Sequence, residues 1–337
     1  MRIVAHASKM AARYRNIFSL VSNNFLPRAL TTRTIQTCQR HRKRKEVPSF
    51  NDESVNTILR RLTGCDVEKI FSNRKQALEV HAYQLMTDEE LLAAEEDAES
   101  RARSMLEMPP VMEEREEINE VIGTDERLAG YDSANLIFTD ISMSATDRTR
   151  NIVVREPDGR LRKANWSERD RMNFIYFPKE GRKWKMPEML TESGLQVPLS
   201  QNRHEDVLDL VCVQCEPDSP DFIRVHQHVY DDINANSKFE LLRSTRHFGG
   251  LLYYLTRLRK LDNLLDELTD SGRFQDAIDV VSLHHILHPH LETAVQAQEA
   301  KLSDMDLLLA YLRREGPTES IKRVEQTLAE QQKQKRA

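Results

Sequence analysis

Glycine is scarce in this 337-residue chain, and its placement excludes a great deal of chemistry. The ten glycines fall at 64, 123, 130, 159, 181, 194, 249, 250, 272 and 316. No two are separated by two positions or by five, so neither GxGxxG nor GxxxxGK followed by Ser or Thr can be written. A backbone that closes on phosphate needs glycine at those steps. Dinucleotide sites and P-loops of the standard kind are therefore excluded, and no small-molecule substrate is expected. Long apolar runs are missing as well. Leu251–Leu255 and Leu307–Leu312 are the best stretches, far short of the roughly 18 residues of a membrane-spanning helix. No membrane partner is expected. Cysteine occurs four times, at 38, 65, 212 and 215, too sparsely to suggest a disulfide framework. A reducing compartment is the simpler reading.

The longest stretch without an acidic residue is the N-terminus. Residues 1–45 carry eleven Lys and Arg and no Asp or Glu. Met10, Tyr14, Ile17, Phe18 and Val21 share one side of a helix there, while Arg2, Lys9 and Arg15 turn away. An Arg-rich, Ser/Thr-bearing, amphipathic and acid-free start is the composition of a mitochondrial transit peptide. Cleavage is expected near residues 30–45, with the mature chain in the mitochondrial matrix. The competing reading takes Arg40–Lys45 as a nuclear-localisation or RNA-binding run. The rest of the chain, 46–337, holds 38 basic and 54 acidic residues, a net of −16. The whole-chain value of −5 hides two opposed pieces.

Four further parts follow from patterning. Residues 46–130 read as an acidic helical arm. Within it, 88–120 holds thirteen acidic residues against three basic, with only Leu85, Leu91 and Leu92 as an apolar edge before Pro109-Pro110 ends the helix. Residues 131–200 read as a small antiparallel sheet plus a helix. Leu136-Ile-Phe138 and Ile152-Val-Val154 are β-type runs, and Pro157-Asp-Gly-Arg160 is a turn. Ser167 with Asp170 predicts a capping box, and Met172, Ile175 and Tyr176 an inward stripe. Residues 201–315 read as a helical domain. Ser219-Pro220 opens one helix with Phe222, Val225, Val229, Tyr230 and Ile233 inward. Ser237 with Glu240 predicts the start of the next, stopping at Gly249-Gly250. A leucine stripe at 251, 255, 258, 261, 265 and 268 follows, up to the break at Ser271-Gly272. Phe274, Ala277, Ile278 and Val281 start another helix, and Ser303 with Asp306 caps the one that ends at Gly316-Pro317. Residues 316–337 read as a charged C-terminal helix or tail. The fold class is α+β, predominantly helical, with a C-terminal multi-helix array.

No set of residues makes a case for catalysis, and no cofactor or metal is expected. Cys212 and Cys215 have the spacing of half a zinc knuckle, with His226 and His228 after them. The cysteines end an apolar helix, however, and two histidines at i and i+2 point to different faces of the next. Buried thiols are the simpler reading. His284, His285, His288 and His290 lack the glutamate of HExxH. His285 and His288 read as half-buried core residues extending the Phe274–Val281 stripe. Ser167-Glu-Arg-Asp170 has neither the preceding histidine nor the glycine-rich loop of a kinase.

One belt stands out against the acidic body. Residues 148–185 hold twelve basic and five acidic residues, with Trp166, Phe174, Tyr176, Phe177 and Trp184 interleaved. Clustered cations with aromatics are the footprint of phosphate contact, and Arg160, Arg162, Lys163, Lys179, Arg182, Lys183 and Lys185 are the candidate RNA-contact residues. The competing reading is a solvated or protein-facing surface, with Arg169, Asp170 and Arg171 pairing along their helix and the aromatics in the core. A body of net −16 nevertheless repels a polyanion over a Debye length of about 8–10 Å. Such a chain binds RNA poorly alone and better when neighbouring proteins hold it in place.

Several stretches resemble the family of mitochondrial small-ribosomal-subunit protein twenty-two. They are Met108-Pro-Pro-Val111, Phe138-Thr-Asp-Ile-Ser142, Ile152-Val-Val-Arg-Glu-Pro157, Glu168-Arg-Asp-Arg-Met172 and Tyr176 to Lys183. Glu216-Pro-Asp-Ser219, Leu241 to Arg246, Phe248-Gly-Gly250 and Leu287-His-Pro289 continue the likeness, which covers roughly residues 50–290. The resemblance implies a non-catalytic structural part of the mitochondrial small ribosomal subunit. Its partners would be other small-subunit proteins and small-subunit rRNA. The alternative is a free mitochondrial RNA-binding or ribosome-assembly factor.

Overall fold

The apolar periodicity of the C-terminal half becomes a stack of helices in this computed structural model, which describes residues 48–72, 85–300 and 304–336. The core opens with α1 (Glu53–Thr63), whose Val55, Leu59 and Leu62 repeat at i, i+4 and i+7 and are buried. After α2 (Val67–Ser72) and the outlying α3 (Asp88–Met105), the chain forms the sheet and α4 (Trp166–Tyr176). It then returns to the core through α5 (Gln196–Ser200), α6 (His204–Gln214), α7 (Pro220–Ala235), α8 (Phe248–Leu258), α9 (Asp262–Asp270) and α10 (Phe274–Leu287). The array closes with α11 (Glu292–Ala300), α12 (Asp304–Glu315) and α13 (Thr318–Arg336). α1 packs on α8 and α10, while α13 packs on α9 and α12. An ion pair of 2.5 Å between Arg61 and buried Asp279 fixes α1 to α10. No described helix is long and apolar enough to cross a membrane.

The sheet has four antiparallel strands in the order β1 (Val121–Thr124), β4 (Arg160–Lys163), β3 (Ile152–Arg155), β2 (Leu136–Thr139). The fold is thus α+β and predominantly helical, as expected. β1 is an addition. Its four residues are all exposed and include Gly123, so it carries no burial alternation to announce a strand. It also lies before residue 130, so the sheet begins within the stretch read as an acidic arm. Ile152, Val154 and Ala164 make a small core of their own with Ile137 and Met172. In the β3–β4 turn, Gly159 has φ of +85°, and a Cβ there would sit 2.2 Å from the Asp125 carbonyl oxygen. Only glycine satisfies both demands.

Local expectations met mixed outcomes. Ser219 accepts from the Phe222 amide at 3.3 Å with Pro220 in the first turn, and the Phe222, Val225, Val229, Tyr230 and Ile233 stripe is buried. α4, by contrast, starts earlier than Ser167. Asn165 accepts from the Glu168 amide while Glu168 accepts from the Asn165 amide, each at 2.9 Å. Asp170 is engaged elsewhere, with Arg115. Of the expected stripe only Met172 packs inward, on the sheet's core. The buried residues of α4 are Arg169 and Asn173, while Ile175 and Tyr176 are each 54% exposed. Arg169 is inward because its guanidinium donates to the carbonyls of Asp147, Arg148 and Arg150. That capture of loop backbone leaves no trace in an apolar pattern.

Gly249 and Gly250 do not stop a helix either; they lie in the first turn of α8. A Cβ on them would come within 2.0 Å of Met108 Sδ and 2.7 Å of the Tyr230 hydroxyl, so both exist to admit a neighbour. Ser237 caps nothing, having φ of +51° ahead of a short 3₁₀ turn. The leucine stripe is broken between α8 and α9. α8 ends at Leu258, where Arg259 takes a left-handed φ of +58°, and Leu258 is 46% exposed, whereas Leu251, Leu255, Leu261, Leu265 and Leu268 stay buried. The predicted transit peptide, Cys38 and Ser303 lie outside the described residues.

Candidate nucleic-acid interface

The belt is built from β3, β4, α4 and the loop that follows. Its cations divide by what already holds them. Arg162 is locked: its Nε reaches Glu156 at 2.8 Å, and its two terminal nitrogens reach the Glu168 carboxylate at 2.8 and 2.9 Å. The Arg162 hydrogen bonds outweigh burial and hold the Glu168 carboxyl below the usual carboxylate range. The same Glu168 closes the N-terminal cap of α4, so one carboxylate joins strand to helix. Arg182 bonds Glu216 at 2.8 Å, and only 19% of its side chain is exposed. Lys179 bridges Asp147 and Glu216 at 2.8 and 2.6 Å. Burial works against its ammonium, but those two partners prevail and raise its pKa.

Lys163 and Arg160 are intermediate cases. Lys163 meets Glu120 at 2.6 Å with 45% of its side chain exposed, and Arg160 meets Asp158 loosely at 3.8 Å. Arg150, with three donors on the carbonyls of Asp140, Ser142 and Ala145, is buried and stacks 3.5 Å above the Phe177 ring. Arg155 pairs with Asp132, and Arg148 with Asp218 at 3.2 Å. Much of the positive charge counted in the sequence is therefore neutralised by carboxylates far away along the chain.

Lys183, Lys185 and Arg171 differ. All three are exposed, and none has an ion pair among the described residues. Between the two lysines lies Trp184, 56% exposed, with its ring 5.8 Å from that of Phe174. The backbone here is fixed: the Lys183 amide donates to Gln214 Oε1 at 3.0 Å, and the Gln214 amide nitrogen donates to the Lys183 carbonyl. Behind the loop lies a cavity of about 190 Å³, lined by both signs of charge and by Trp166, Phe174 and Trp184. Trp166 is committed inside it. Its ring nitrogen donates to the Glu116 carbonyl at 2.6 Å, and the Arg115 guanidinium lies 4.6 Å from the ring centroid. Arg171 lies in the belt but outside the candidate RNA-contact residues, and no signal in the sequence points to Gln214.

The two histidine groups are placed as follows. His284 is wholly buried beside His288 and Tyr311, at ring distances of 4.8 and 5.3 Å. Burial first, then His288, push its pKa down to about 3. Cys215 is buried and Cys212 half-buried, while His228 points outward to Gln196. His226 lies within the core on α7, close to Cys212 and to His247. Burial pushes both thiols up to about 11.

The family model for mitochondrial 28S ribosomal protein S22 matches residues 48–289, which span α1, the sheet, the belt and the core through α10. The chain belongs to this family. It is 46% identical over 269 residues to the small ribosomal subunit protein mS22 of Bos taurus, covering 80% of this chain and 75% of the relative. Its identity to the Mus musculus protein of the same name is 44%, with the same coverage. The resemblance read from the sequence is thereby shown to be kinship. α11, α12 and α13 lie beyond the matched span.

Proposed function

We propose that this chain is a structural, non-catalytic part of the small subunit of the mitochondrial ribosome, working in the matrix. One observation carries the reading: the family match runs unbroken through both the belt and the helical core, from residue 48 to 289. The geometry supports a division of labour. Within α3 only Ala102 is buried. Asp97 and Glu99 pair with Arg101 and Arg103, while Glu89, Glu95 and Glu96 have no ion pair among the described residues and face basic neighbouring proteins. Lys183, Trp184 and Lys185, with Arg171 nearby in sequence, present unspent charge and a stackable ring suited to rRNA.

A free RNA-binding protein is the weaker reading. Three unspent cations on a body of net −16 give little affinity for a polyanion in solution. Held among other subunits, the same three are sufficient for local contact. Sedimentation of the tagged chain from mitochondrial lysate tests the proposal.

A further inference from the structure

The fold gathers three potential metal ligands from three separate elements. Cys212 comes from the last turn of α6, His226 from the middle of α7, and His247 from the position just before α8. One ligand atom of each lies within 4.8 Å of the other two. Only Cys212 belongs to the CxxC spacing; Cys215 and His228 are outside the group, and His247 is far away in sequence.

Both histidines are oriented as metal ligands usually are. His226 is 8% exposed and uses Nδ1 to donate to the Phe222 carbonyl at 2.9 Å, which leaves the Nε2 lone pair free. His247 is 1% exposed and uses Nε2 to donate to Asp209 at 2.8 Å. Its Nδ1 is buried with no hydrogen-bond partner. A ligating imidazole typically has its far nitrogen held by a carbonyl or carboxylate, which fixes tautomer and ring plane. Both arrangements are present here. A buried ring nitrogen without a partner is costly, and a metal ion would satisfy it.

We infer that Cys212, His226 and His247 form a zinc site that ties α6, α7 and the start of α8 together. A thiolate with two neutral imidazoles suits zinc, and a water completes the tetrahedron. Binding replaces the Cys212 S–H bond with a zinc–sulfur bond and releases one proton to solvent; nothing is oxidised or reduced. The hydrogen bonds to the Phe222 carbonyl and to Asp209 leave one ring nitrogen of each imidazole for the metal. Arg246 is the adverse neighbour, but its guanidinium is paired with Asp209 at 2.5 Å. The two charges cancel at the rim of the site.

The test uses the full chain purified without chelator, its metal content read by mass spectrometry. Stoichiometric zinc is expected, together with a lower melting temperature after chelation that returns with added zinc. Replacing zinc by cobalt(II) should give a thiolate charge-transfer band. Cys212→Ser should abolish that band, whereas Cys215→Ser should keep it. A wild-type chain that takes up no zinc on supplementation would overturn the assignment. So would a cobalt spectrum without a thiolate band, a readout that needs no variant to fold. Zinc retained by both Cys212→Ser and His247→Asn would place the metal elsewhere and also overturn it.

Discussion

Gln214 grips the backbone of Lys183 from both directions, accepting from its amide at 3.0 Å and donating to its carbonyl. The grip fixes the loop after α4 to the end of α6, so Lys183, Trp184 and Lys185 project without needing their own side chains for anchorage. Replacing Lys183 and Lys185 with alanine should cost little stability, since exposed substitutions usually fall within about 0.5 kcal/mol each, whereas Trp184→Ala adds about 1 kcal/mol for the lost ring contact with Phe174. Crosslinks from this loop to rRNA should nevertheless disappear. Arg162→Glu should behave in the opposite way. It leaves Glu156 and Glu168 facing a third carboxylate, at a cost on the order of 3 kcal/mol. Crosslinking and thermal melting of both variants check this pair. Equal destabilisation would show that spent and unspent cations had been wrongly separated.

Leu255 and Leu258 separate in the same way. Leu255 is fully buried, while Leu258 is 46% exposed beside the left-handed Arg259. Leu255→Asp should cost more than about 4 kcal/mol, because an unpaired charge enters the core. Leu258→Asp should cost about 1 kcal/mol, from lost partial packing and an anion at a helix C-terminus. Denaturant melts of the two variants decide; similar midpoints would contradict the break between α8 and α9.

Glu267 supplies a pH dependence. Burial first, and then nearby Glu240, raise its carboxyl from an ordinary 4.5 to about 7. A raised folded-state pKa means that the folded chain holds this proton more tightly than the unfolded chain. Its ionisation therefore lowers stability progressively as pH rises from 4.5 to about 7, with the full loss above that. Glu267→Gln should match the wild type near the acidic end and melt at a higher temperature at the alkaline end. An offset independent of pH would refute the assignment.

How much of this was legible in the sequence depended on where the partners lie. Ser219-Pro220 and the stripe from Phe222 to Ile233 announce α7 because cap, proline and apolar repeat are all local. Class and kinship were legible for the same reason. β1 was not, since Val121 and Ile122 are exposed and the strand is defined only by pairing with β4. The start of α8 misled because glycine marks close approach as readily as a break: Met108 and Tyr230 fill that space from elsewhere in the chain. The belt could be counted but not sorted. Glu120, Asp147 and Glu216, which occupy Lys163, Lys179 and Arg182, lie outside the local pattern and are brought together only by the fold. His247 joins Cys212 and His226 in the same long-range manner.

The first residues make a prediction from composition alone. Acid-free and carrying eleven cations, residues 1–45 should be removed on import into mitochondria. Mass spectrometry of the mature protein should find its N-terminus near residues 30–45. A mitochondrial form that retains Met1 would end the idea.

On the proposed function, the chain is built into the small ribosomal subunit. Sedimentation of mitochondrial lysate through a sucrose gradient, following the tagged chain against small-subunit rRNA, tests it most directly. The two should travel together, and the chain should stay with the particle after a moderate salt wash because protein contacts hold it there. A chain that remains at the top of the gradient, or that leaves the particle and binds naked rRNA tightly at high salt, would contradict the account.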